Sequence, residues 1–545
     1  MNIADYLIQV LVSRQIHHIF GYPGASILPL MAAISHNPES EWILMRHEGS
    51  ASLAASAQAK LRHQLAVCMA TAGPGASNLA TGLLDAQLDR VPLLAITGEI
   101  AIPRQGRYGF QDLDNADLLR PLVAHSVRAT HPFQVPVLLR DCIGRAEADR
   151  VAVNLTIPRD IQLAEIDPDD PRFSLEQLPE RLQLMPAPGS AFDLVAAELA
   201  GHERLVIAVG PRARGCGEEI EALAEHLNAP LIYSSDAKGV LDDRHSHVMG
   251  VLGVFGLPGM EVPCRLISQA QAVLAFGLED LGPFLTDDQG FQQRKLYLCE
   301  PDFALVTRQF RCTRTLVGPL AATARQLQNG IPVPEHKGLI DAARSLREAH
   351  VSPCQPSGAG VDPGAFLARL SDRLDGDMTV ALDIGDNTLW SLASLQLSER
   401  QHVLSSNKLG TMGFCLPALI AAQLTRPGSR AVGICGDGGF QMVLNEMGSA
   451  VQAKLPLIIV VLSNGQLLRV EAQQSQPYGT TLHNPDFVAL ARAYGADGAH
   501  LRSPDEIGEV LDQAFAPRQL PFLINVHNDP ACTIPFGSWS TQVLA

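Results

Sequence analysis

The chain has 545 residues, of which 46% are hydrophobic and 18% are charged, and its net charge is −16 at pH 7. This length predicts roughly three domains of about 150–200 residues each, and the composition excludes a wholly disordered chain. The acidic net charge argues against nucleic acid and against an anionic membrane surface as partners.

The cysteines and the N-terminus bear on the cellular location. The ten cysteines form no C-x-x-C pair and no tight group with histidine, so neither a disulfide framework nor a zinc site is expected. The first residues, Met1–Tyr6, lack the basic and apolar regions of a signal peptide. The sequence also contains no apolar run long enough to span a membrane. We therefore expect a cytoplasmic protein.

Segments rich in proline, near residues 167–189 and 331–364, predict two linkers. They divide the chain into candidate domains over 1–165, 190–330 and 360–545. Each segment alternates short β-branched runs with helical patterns, which is typical of α/β domains with parallel sheets. The predicted strands are Leu65–Thr71, Val91–Thr97, Arg204–Val209, Ala272–Phe276, Thr379–Asp383, Ala431–Cys435, Leu457–Leu462 and Leu520–Val526.

In the first segment, Glu48 lies between a predicted strand over Trp42–Met45 and a predicted helix over Ser50–Ala59. One interpretation is a carboxylate that the N-terminal dipole of the helix favours. The other is a carboxylate in a tight apolar pocket that exchanges a proton during catalysis. The residues around Glu48 leave both interpretations open.

Several glycine-containing turns follow predicted strands, and such turns either cradle ligands or simply cross the edge of a sheet. One lies between a strand and a helix near residue 73. Another precedes a predicted helix over Leu416–Gln423 and has an apolar methionine at its centre, a residue that more often belongs to a core. A third, polar turn ends the strand over Thr379–Asp383. The candidate ligand-binding residues of these turns are Gly73, Pro74, Asp386, Asn387, Gly410 and Met412.

Two further turns in the last segment predict a metal and phosphate site. Asp437 follows the strand over Ala431–Cys435, Asn464 follows the strand over Leu457–Leu462, and a helix is predicted between them over Gln441–Ala453. A right-handed βαβ crossover brings both turns to one edge of a parallel sheet. The carboxylate and amide oxygens suit Mg²⁺, although a plain strand-to-helix loop is the alternative for the aspartate alone. The glycines that would admit a phosphate are Gly436, Gly438 and Gly439.

Taken together, six motifs in this order resemble those of the thiamine-diphosphate-dependent enzymes, and within them the acetolactate synthase branch. Each motif is weak alone, but the match covers essentially the whole chain. The motifs are Gly-Tyr-Pro-Gly (21–24), Arg-His-Glu (46–48), Thr-Ala-Gly-Pro-Gly-Ala-Ser-Asn (71–78), Phe-Gln (110–111), Gly-Thr-Met-Gly-Phe (410–414) and the Gly-Asp-Gly…Asn pair that begins at 436.

The resemblance implies a thiamine-diphosphate-binding fold with pyrimidine-binding, middle and diphosphate-binding domains. It implies a homo-oligomer, a dimer or a tetramer, in which thiamine diphosphate binds between two subunits. Mg²⁺ would anchor the diphosphate through Asp437, Asn464 and the backbone carbonyl of Gln466.

The resemblance also implies roles at the reacting end of the cofactor. Glu48, reaching over from the partner chain, would hydrogen-bond the pyrimidine ring and promote ionisation of the cofactor. Met412 would support the bent cofactor, and the Gly410 carbonyl would accept from its amino group. Gln111, next to Phe110, would hydrogen-bond the bound substrate, or it is an ordinary loop glutamine.

Four departures from the synthases bear on which substrate and which cofactors the protein binds. Glu471 and Gln473 stand where those enzymes have Arg and Trp, which predicts a more polar site and puts a branched-chain biosynthetic role in doubt. Ser26 replaces a small apolar residue and could add a polar contact near the substrate. The segment over 277–281 lacks the Arg-Phe-Asp-Asp-Arg pattern of flavin-bearing members, so FAD stays open but is disfavoured. Asp386 replaces a glutamine, and because an acid repels a diphosphate, we expect it to turn away or to reach another group.

The implied activity is decarboxylation of a 2-oxo acid, with pyruvate as the expected substrate, followed by ligation to a second carbonyl. The region over Gly109–Asp114 lacks the paired histidines of pyruvate decarboxylases, which disfavours simple release of an aldehyde. The alternatives are a non-ligating decarboxylase or lyase that acts on a bulkier 2-oxo acid, and a catalytically silent, cofactor-binding regulatory protein.

Overall fold

The computed structural model describes residues 1–174, 189–254, 257–279, 294–302, 312–335, 338–349, 357–532 and 534 of the chain. Within these residues the strands form three sheets that follow one another along the chain, with helices between the strands. This confirms the predicted α/β class with three domains. The strands of the three sheets lie inside the predicted domains, whereas the exact domain boundaries stay a prediction.

The first sheet has parallel neighbours throughout, in the order β2-β1-β3-β4-β6-β5. Its strands are β1 (His18–Gly21), β2 (Glu41–Leu44), β3 (Ala66–Ala70), β4 (Leu93–Glu99), β5 (His125–Arg128) and β6 (Ala152–Pro158). The helices around it are Ile3–Ser13, Leu28–His36, Glu48–Arg62, Pro74–Asn78, Ala80–Leu88, Asn115–Leu119, Val135–Asp149 and Arg159–Gln162. The strands β3, β4 and β6 are buried along their whole length, which explains their nearly continuous apolar sequence.

The middle sheet has the order β10-β9-β8-β7-β11-β12-β13, and its neighbours are parallel except for β9 and β10. Its strands are β7 (Leu205–Val209), β8 (Leu231–Ser234), β9 (Val248–Val254), β10 (Leu257–Gly259), β11 (Ala272–Phe276), β12 (Lys295–Glu300) and β13 (Arg314–Val317). The accompanying helices are Gly189–Ala200, Gly217–His226, Glu261–Gln269, Leu320–Gly330 and Ile340–Ala349.

The third sheet is parallel throughout, in the order β15-β14-β16-β17-β19-β18. Its strands are β14 (Thr379–Leu382), β15 (His402–Leu404), β16 (Ala431–Gly436), β17 (Ile458–Ser463), β18 (Asp497–Leu501) and β19 (Phe522–His527). Its helices are Pro363–Ser371, Asp386–Ser394, Cys415–Thr425, Asp437–Val443, Met447–Gln452, Leu468–Glu471, Phe487–Ala493 and Ile507–Phe515. The chain leaves β14 towards one side of the sheet and β16 towards the other, so a ligand-binding crevice is expected where these two strands end.

One predicted helix differs from the structure. The segment over Gln441–Ala453 is not continuous, because a 3-10 turn over Leu444–Glu446 separates the helices that precede and follow it. At this turn the fully buried carboxylate of Glu446 accepts two hydrogen bonds from the backbone N–H of Arg46, at 3.0 and 3.1 Å. The break therefore coincides with a contact to the first domain, which no local pattern could predict.

The first and third domains share one hydrophobic core. The helix Glu48–Arg62 packs against the helix Cys415–Thr425, and small buried residues such as Ala54 and Ala421 allow the two helices to come close. Of the predicted linkers, residues 175–188, 336–337 and 350–356 lie outside the described residues. Eight described cysteines are free, whereas Cys532 forms a disulfide, which the sequence analysis did not predict. The described helices are too short or too polar to cross a bilayer.

Candidate functional site

The turn after β16 and the turn after β17 meet through the carboxylate of Asp437, which is only 2% exposed. Its Oδ2 accepts hydrogen bonds from the backbone N–H groups of Asn464 at 3.0 Å and Gly465 at 2.7 Å. It also accepts a bond of 2.7 Å from Nδ2 of Asn484. Among the described residues its Oδ1 accepts only the N–H of Gly438, at 2.9 Å. The structure thus joins the two predicted turns and leaves acceptor capacity on Oδ1.

The oxygen atoms of this pair of turns fit Mg²⁺. The side-chain Oδ1 of Asn464 accepts the N–H of Gln466 at 2.9 Å, which folds the chain so that the Gln466 carbonyl belongs to the same turn. Among the described residues no cluster of three or more His, Cys, Asp or Glu side chains could hold a metal. A cation here would use one carboxylate together with amide and carbonyl oxygens, a hard donor set that Mg²⁺ completes with phosphate oxygens and water.

A second turn lies over this site and carries Met412. A Cβ placed on Gly438 would come within 3.2 Å of the Met412 methyl group, so the methionine side chain lies directly above the glycine. Gly410 and Gly413 flank it with φ values of 69° and 83°, a region that favours glycine. The structure therefore brings Met412 to the Asp437 turn, and the roles of Met412 and Gly410 towards a cofactor stay predictions.

Asp383, which the sequence analysis did not select, fastens this turn from below. It is fully buried, and its Oδ1 accepts the N–H groups of Ile384 at 2.8 Å and Gly413 at 2.9 Å. Burial raises the pKa of Asp383 to about 7, although these N–H groups lower it. A Cβ on Gly439 would lie 2.5 Å from its Oδ2, so only glycine fits there. Gly436 precedes Asp437 as the residue before the helix.

Asp386, which we expected to turn away from a diphosphate or to reach another group, lies beside Arg469. Asp386 begins its helix, and its Oδ1 lies 3.6 Å from Nε of Arg469. Burial raises the pKa of Asp386, and the Arg469 guanidinium partly offsets that rise. The neighbouring Asn387 is buried and turned inwards, where its Nδ2 donates to the carbonyl of Asp383 at 2.8 Å. Asn387 therefore supports the crevice from beneath.

In the first domain, Glu48 is the first residue of its helix and is 8% exposed. Its Oε2 accepts a hydrogen bond of 2.9 Å from Nδ2 of Asn78, the last residue of the helix that follows Pro74. A Cβ on Gly75 would lie 3.3 Å from Oε1. The Glu48 carboxylate is therefore oriented by its own turn and by the turn that carries Gly75 and Asn78. The dipole of its own helix alone does not explain this orientation.

The other predicted residues of the first domain gather near this edge. Gly73 has a φ of 66°, and a Cβ on it would lie 3.4 Å from Cγ of Gln111. Gln111 itself has a positive φ of 57° in a loop where Tyr108 and Phe110 are 100% and 85% exposed. Such exposed aromatic side chains are typical of surfaces that another chain or a ligand covers.

Two residues that were predicted to contact the substrate, Ser26 and Glu471, form hydrogen bonds within the protein. Ser26 is buried, and its hydroxyl lies 2.9 Å from the Thr71 hydroxyl and accepts the Ala72 N–H at 2.8 Å. Glu471 accepts a hydrogen bond of 2.8 Å from the hydroxyl of Thr480. Both side chains therefore hold neighbouring turns together, and their roles towards a substrate stay predictions.

The sequence analysis missed four residues of the two clusters: Asn78, Asp383, Arg469 and Asn484. Two of them, Asn78 and Asp383, stood inside segments that it quoted, but their partners lie far along the chain. Asn484 had no signal at all, because it lies 47 residues from Asp437 and follows no predicted strand. Among the described residues no hydrogen bond links Glu48 to the turns of the third domain.

The ends of β7 and β11 in the middle domain, where the strand order predicts a crevice, bear on FAD. There Nε of Arg212 lies 2.6 Å from Glu300, and its NH1 lies 3.7 Å from Glu279. Lys408 also pairs with Glu279. Asp280 and Leu281 of the segment that replaced the flavin pattern lie outside the described residues. Arg212 and Lys408 thus already pair with acids, and FAD stays a disfavoured expectation.

Comparison with known families agrees with the two clusters. Residues 1–118 match the N-terminal TPP binding domain of thiamine pyrophosphate enzymes. Residues 192–327 match the central domain of these enzymes, and residues 383–526 match their C-terminal TPP binding domain. The matches contain Glu48 in the first domain and Asp437 with Asn464 in the third.

Relatives cover nearly the whole chain. The large subunit of acetolactate synthase isozyme 2 from Escherichia coli is 30% identical over 540 residues, which is 97% of this chain and 96% of the relative. An acetolactate synthase from Bacillus subtilis is 28% identical, over 98% of this chain and 94% of the relative. The large subunit of the Escherichia coli isozyme 1 is 27% identical, over 99% and 97%. The chain therefore belongs to the thiamine-diphosphate-dependent enzymes, on their acetolactate synthase-like branch.

Proposed function

We propose that this protein uses thiamine diphosphate and Mg²⁺ to decarboxylate a 2-oxo acid, with pyruvate as the first candidate, and to ligate the remaining unit to a second carbonyl compound. The observation that carries this proposal is the pair of turns joined at Asp437. They present a single carboxylate oxygen and the Asn464 turn at the end of β16 and β17, where a metal-bound diphosphate fits. Thiamine diphosphate supplies the electron sink for the electrons released when CO₂ leaves.

The residues of the third domain would bind and orient the cofactor. Asp437, Asn464 and the Gln466 carbonyl would hold Mg²⁺, and Gly438 would let the backbone approach a phosphate. Met412, above that glycine, would support the bent cofactor from one side. The Gly410 carbonyl would accept from the amino group of the pyrimidine.

The residues of the first domain would act at the reacting end. Glu48, oriented by Asn78 and largely shielded from water, would hold or move a proton at the pyrimidine ring. Gln111 would position the substrate carboxylate, and Gly73 with Pro74 would shape the wall beside it. These roles are consistent with the shielded position of Glu48 and with the exposed loop around Gln111.

A homo-oligomer would bring the two clusters together. The clusters belong to different domains, and the loop with Tyr108 and Phe110 exposes large aromatic side chains. In a dimer, the first domain of one chain would face the third domain of its partner and cover these rings. Two of the relatives are large subunits of acetolactate synthases, which supports ligation as the second step.

Purified protein with thiamine diphosphate, Mg²⁺ and pyruvate tests the proposal by CO₂ release and by analysis of the product. A 2-hydroxy-2-methyl-3-oxo acid or a 2-hydroxyketone supports ligation. Release of CO₂ with only an aldehyde would favour the non-ligating alternative, to which the polar Glu471 and Gln473 at the synthase Arg and Trp positions lend some support. No CO₂ release from a panel of 2-oxo acids would overturn the enzymatic proposal and favour a silent cofactor-binding protein.

A further inference from the structure

An acid and a base face each other across the crevice of the third domain. Asp386 is the first residue of the helix Asp386–Ser394, and Arg469 lies in the short helix Leu468–Glu471. Asp386 Oδ1 and Arg469 Nε are 3.6 Å apart, and neither atom has a hydrogen-bond partner among the described residues. The two side chains are 15% and 29% exposed, so the pair is partly shielded from water.

The position of Asp386 is fixed by the sheet. The next residue, Asn387, donates from Nδ2 to the carbonyl of Asp383 at 2.8 Å and to that of Ile434 at 3.4 Å. Because Asp383 follows β14 and Ile434 belongs to β16, this amide ties the start of the helix to the two strands between which the ligand crevice opens. Asp386 is therefore held at the wall of that crevice, two strand ends away from Asn464.

An ionised carboxylate at this wall would repel a bound diphosphate, because a charge in a partly shielded site interacts more strongly than one in bulk water. Arg469 is the cation placed to cancel that repulsion. The other acid of its helix, Glu471, accepts a hydrogen bond from Thr480 and so does not compete for the guanidinium.

We propose that Arg469 is the counter-charge that makes Asp386 compatible with a diphosphate, and that it thereby sets the affinity of this protein for its cofactor. Arg469 is a positioning residue in this arrangement, because it acts through Asp386. The proposal rests on the proposed function only in requiring that the diphosphate binds where β14 and β16 end.

A double-mutant cycle on cofactor binding tests the proposal without any turnover. The variants are Arg469→Gln, Asp386→Asn and the two combined, and the measurement is the dissociation constant of thiamine diphosphate with Mg²⁺ and no 2-oxo acid. Trp390 lies in the same helix as Asp386, so quenching of tryptophan fluorescence reports binding. Arg373→Gln, which removes the outward ion pair with Asp512, is the matched control.

We expect Arg469→Gln to weaken binding by about tenfold or more, because Asp386 then stands unpaired. The double variant should return to within about threefold of the unsubstituted protein, since the acid has gone as well. Asp386→Asn alone and Arg373→Gln should not weaken binding. Arg469→Lys should retain most of the affinity, which keeps the test valid if the glutamine variant folds poorly.

Two results would overturn the inference. Unchanged binding in Arg469→Gln would show that the guanidinium does not matter. A double variant as weak as Arg469→Gln would show that Arg469 contacts the cofactor directly instead of neutralising Asp386. If the unsubstituted protein binds no thiamine diphosphate, the proposed function fails together with the inference. If it binds the cofactor and all variants of the cycle bind equally well, only the inference fails.

Discussion

At the scale of single residues, the site depends on two carboxylates that the fold treats differently. Asp437 is surrounded by N–H groups from its own turn, from the next turn and from Asn484. Glu48 has one amide donor, Asn78, and a glycine beside its other oxygen. The first arrangement suits a fixed anionic metal ligand, and the second leaves one oxygen available for proton exchange.

Glu48→Gln tests the proton-exchange role. We expect CO₂ release to fall by about a hundredfold or more, because a glutamine cannot hold or move the proton. Cofactor binding, followed by tryptophan fluorescence, should change by less than about threefold. Glu41→Gln on the exposed side of β2 is the control and should leave both quantities unchanged. Full activity in Glu48→Gln would remove the assignment.

Asp437→Asn tests the metal site. The substitution keeps the shape of the side chain but removes its charge, so the Mg²⁺ concentration needed for half-maximal binding of thiamine diphosphate should rise by at least about tenfold. Circular dichroism should still show a folded chain. An unchanged Mg²⁺ requirement would mean that the cation binds elsewhere.

At the scale of elements, buried Asp383 connects β14 to the turn that carries Met412 and to the helix that begins at Asp437. Three secondary-structure elements therefore meet at one carboxylate. Because Gly439 leaves no room for a Cβ there, this junction requires a glycine for steric reasons as well as an acid for hydrogen bonding.

Gly439→Ala should destabilise the protein by about 1–3 kcal/mol, since the added Cβ meets Asp383 Oδ2 in a packed core. The free energy of unfolding of the third domain, or a lowered Tm, measures this effect. Gly428→Ala is the matched control, because a Cβ there meets no atom within 4 Å. Equal stability of the two variants would contradict the packing described around Asp383.

Asp383→Asn should change how stability depends on pH. The folded pKa of Asp383 is raised to about 7 from the ordinary 3.8, so its stabilising contribution is present below about pH 4 and is lost as pH rises towards 7. The Tm of Asp383→Asn relative to the unsubstituted protein should therefore increase between pH 4 and 7 and then level off. A constant difference across this range would rule out the raised pKa.

At the scale of the whole molecule, one ion cluster joins the first and third domains. Nζ of Lys60 lies 2.8 Å from Asp85, 2.7 Å from Asp89 and 2.9 Å from the carbonyl of Ser405. Lys60 belongs to the helix that begins at Glu48, and the segment from Ser405 leads to the Met412 turn. This cluster thus connects the helix that begins at Glu48 with the segment that leads to the Met412 turn of the same chain.

Lys60→Met should cost about 3–5 kcal/mol of unfolding free energy, because it leaves the fully buried Asp85 without its cation. Arg145→Ala, which breaks an exposed ion pair with Asp141, should cost less than about 1 kcal/mol. Thermal unfolding of both variants measures the difference. Similar losses would show that the Lys60 cluster does not stabilise the contact between the domains.

The sequence by itself determined the class of fold and the positions of the strands. Apolar runs bounded by glycine predicted strands such as Ala272–Phe276 with the observed bounds, and most others to within one or two residues. It also singled out Asp437 and Asn464, because strand-end turns in βαβ units must meet at one edge of a sheet. Met412 and Glu48 were assigned to the cofactor site only through the resemblance of their motifs to those of the thiamine-diphosphate-dependent enzymes. These inferences are local or follow from topology, so a single sequence is sufficient for them.

Only the tertiary structure decided which side chains meet across long separations. Asn484 contacts Asp437, Arg469 contacts Asp386, and Glu446 contacts Arg46 at the turn that interrupts its helix. No periodic pattern or motif in the sequence indicates any of these pairs. Such contacts depend on how separate elements pack, because burial makes an unpaired polar group costly and selects its partner from whatever lies nearby in space. The family could therefore be predicted from motifs, and the motifs named candidate residues for the cofactor site, but the contacts that support those residues could not be predicted.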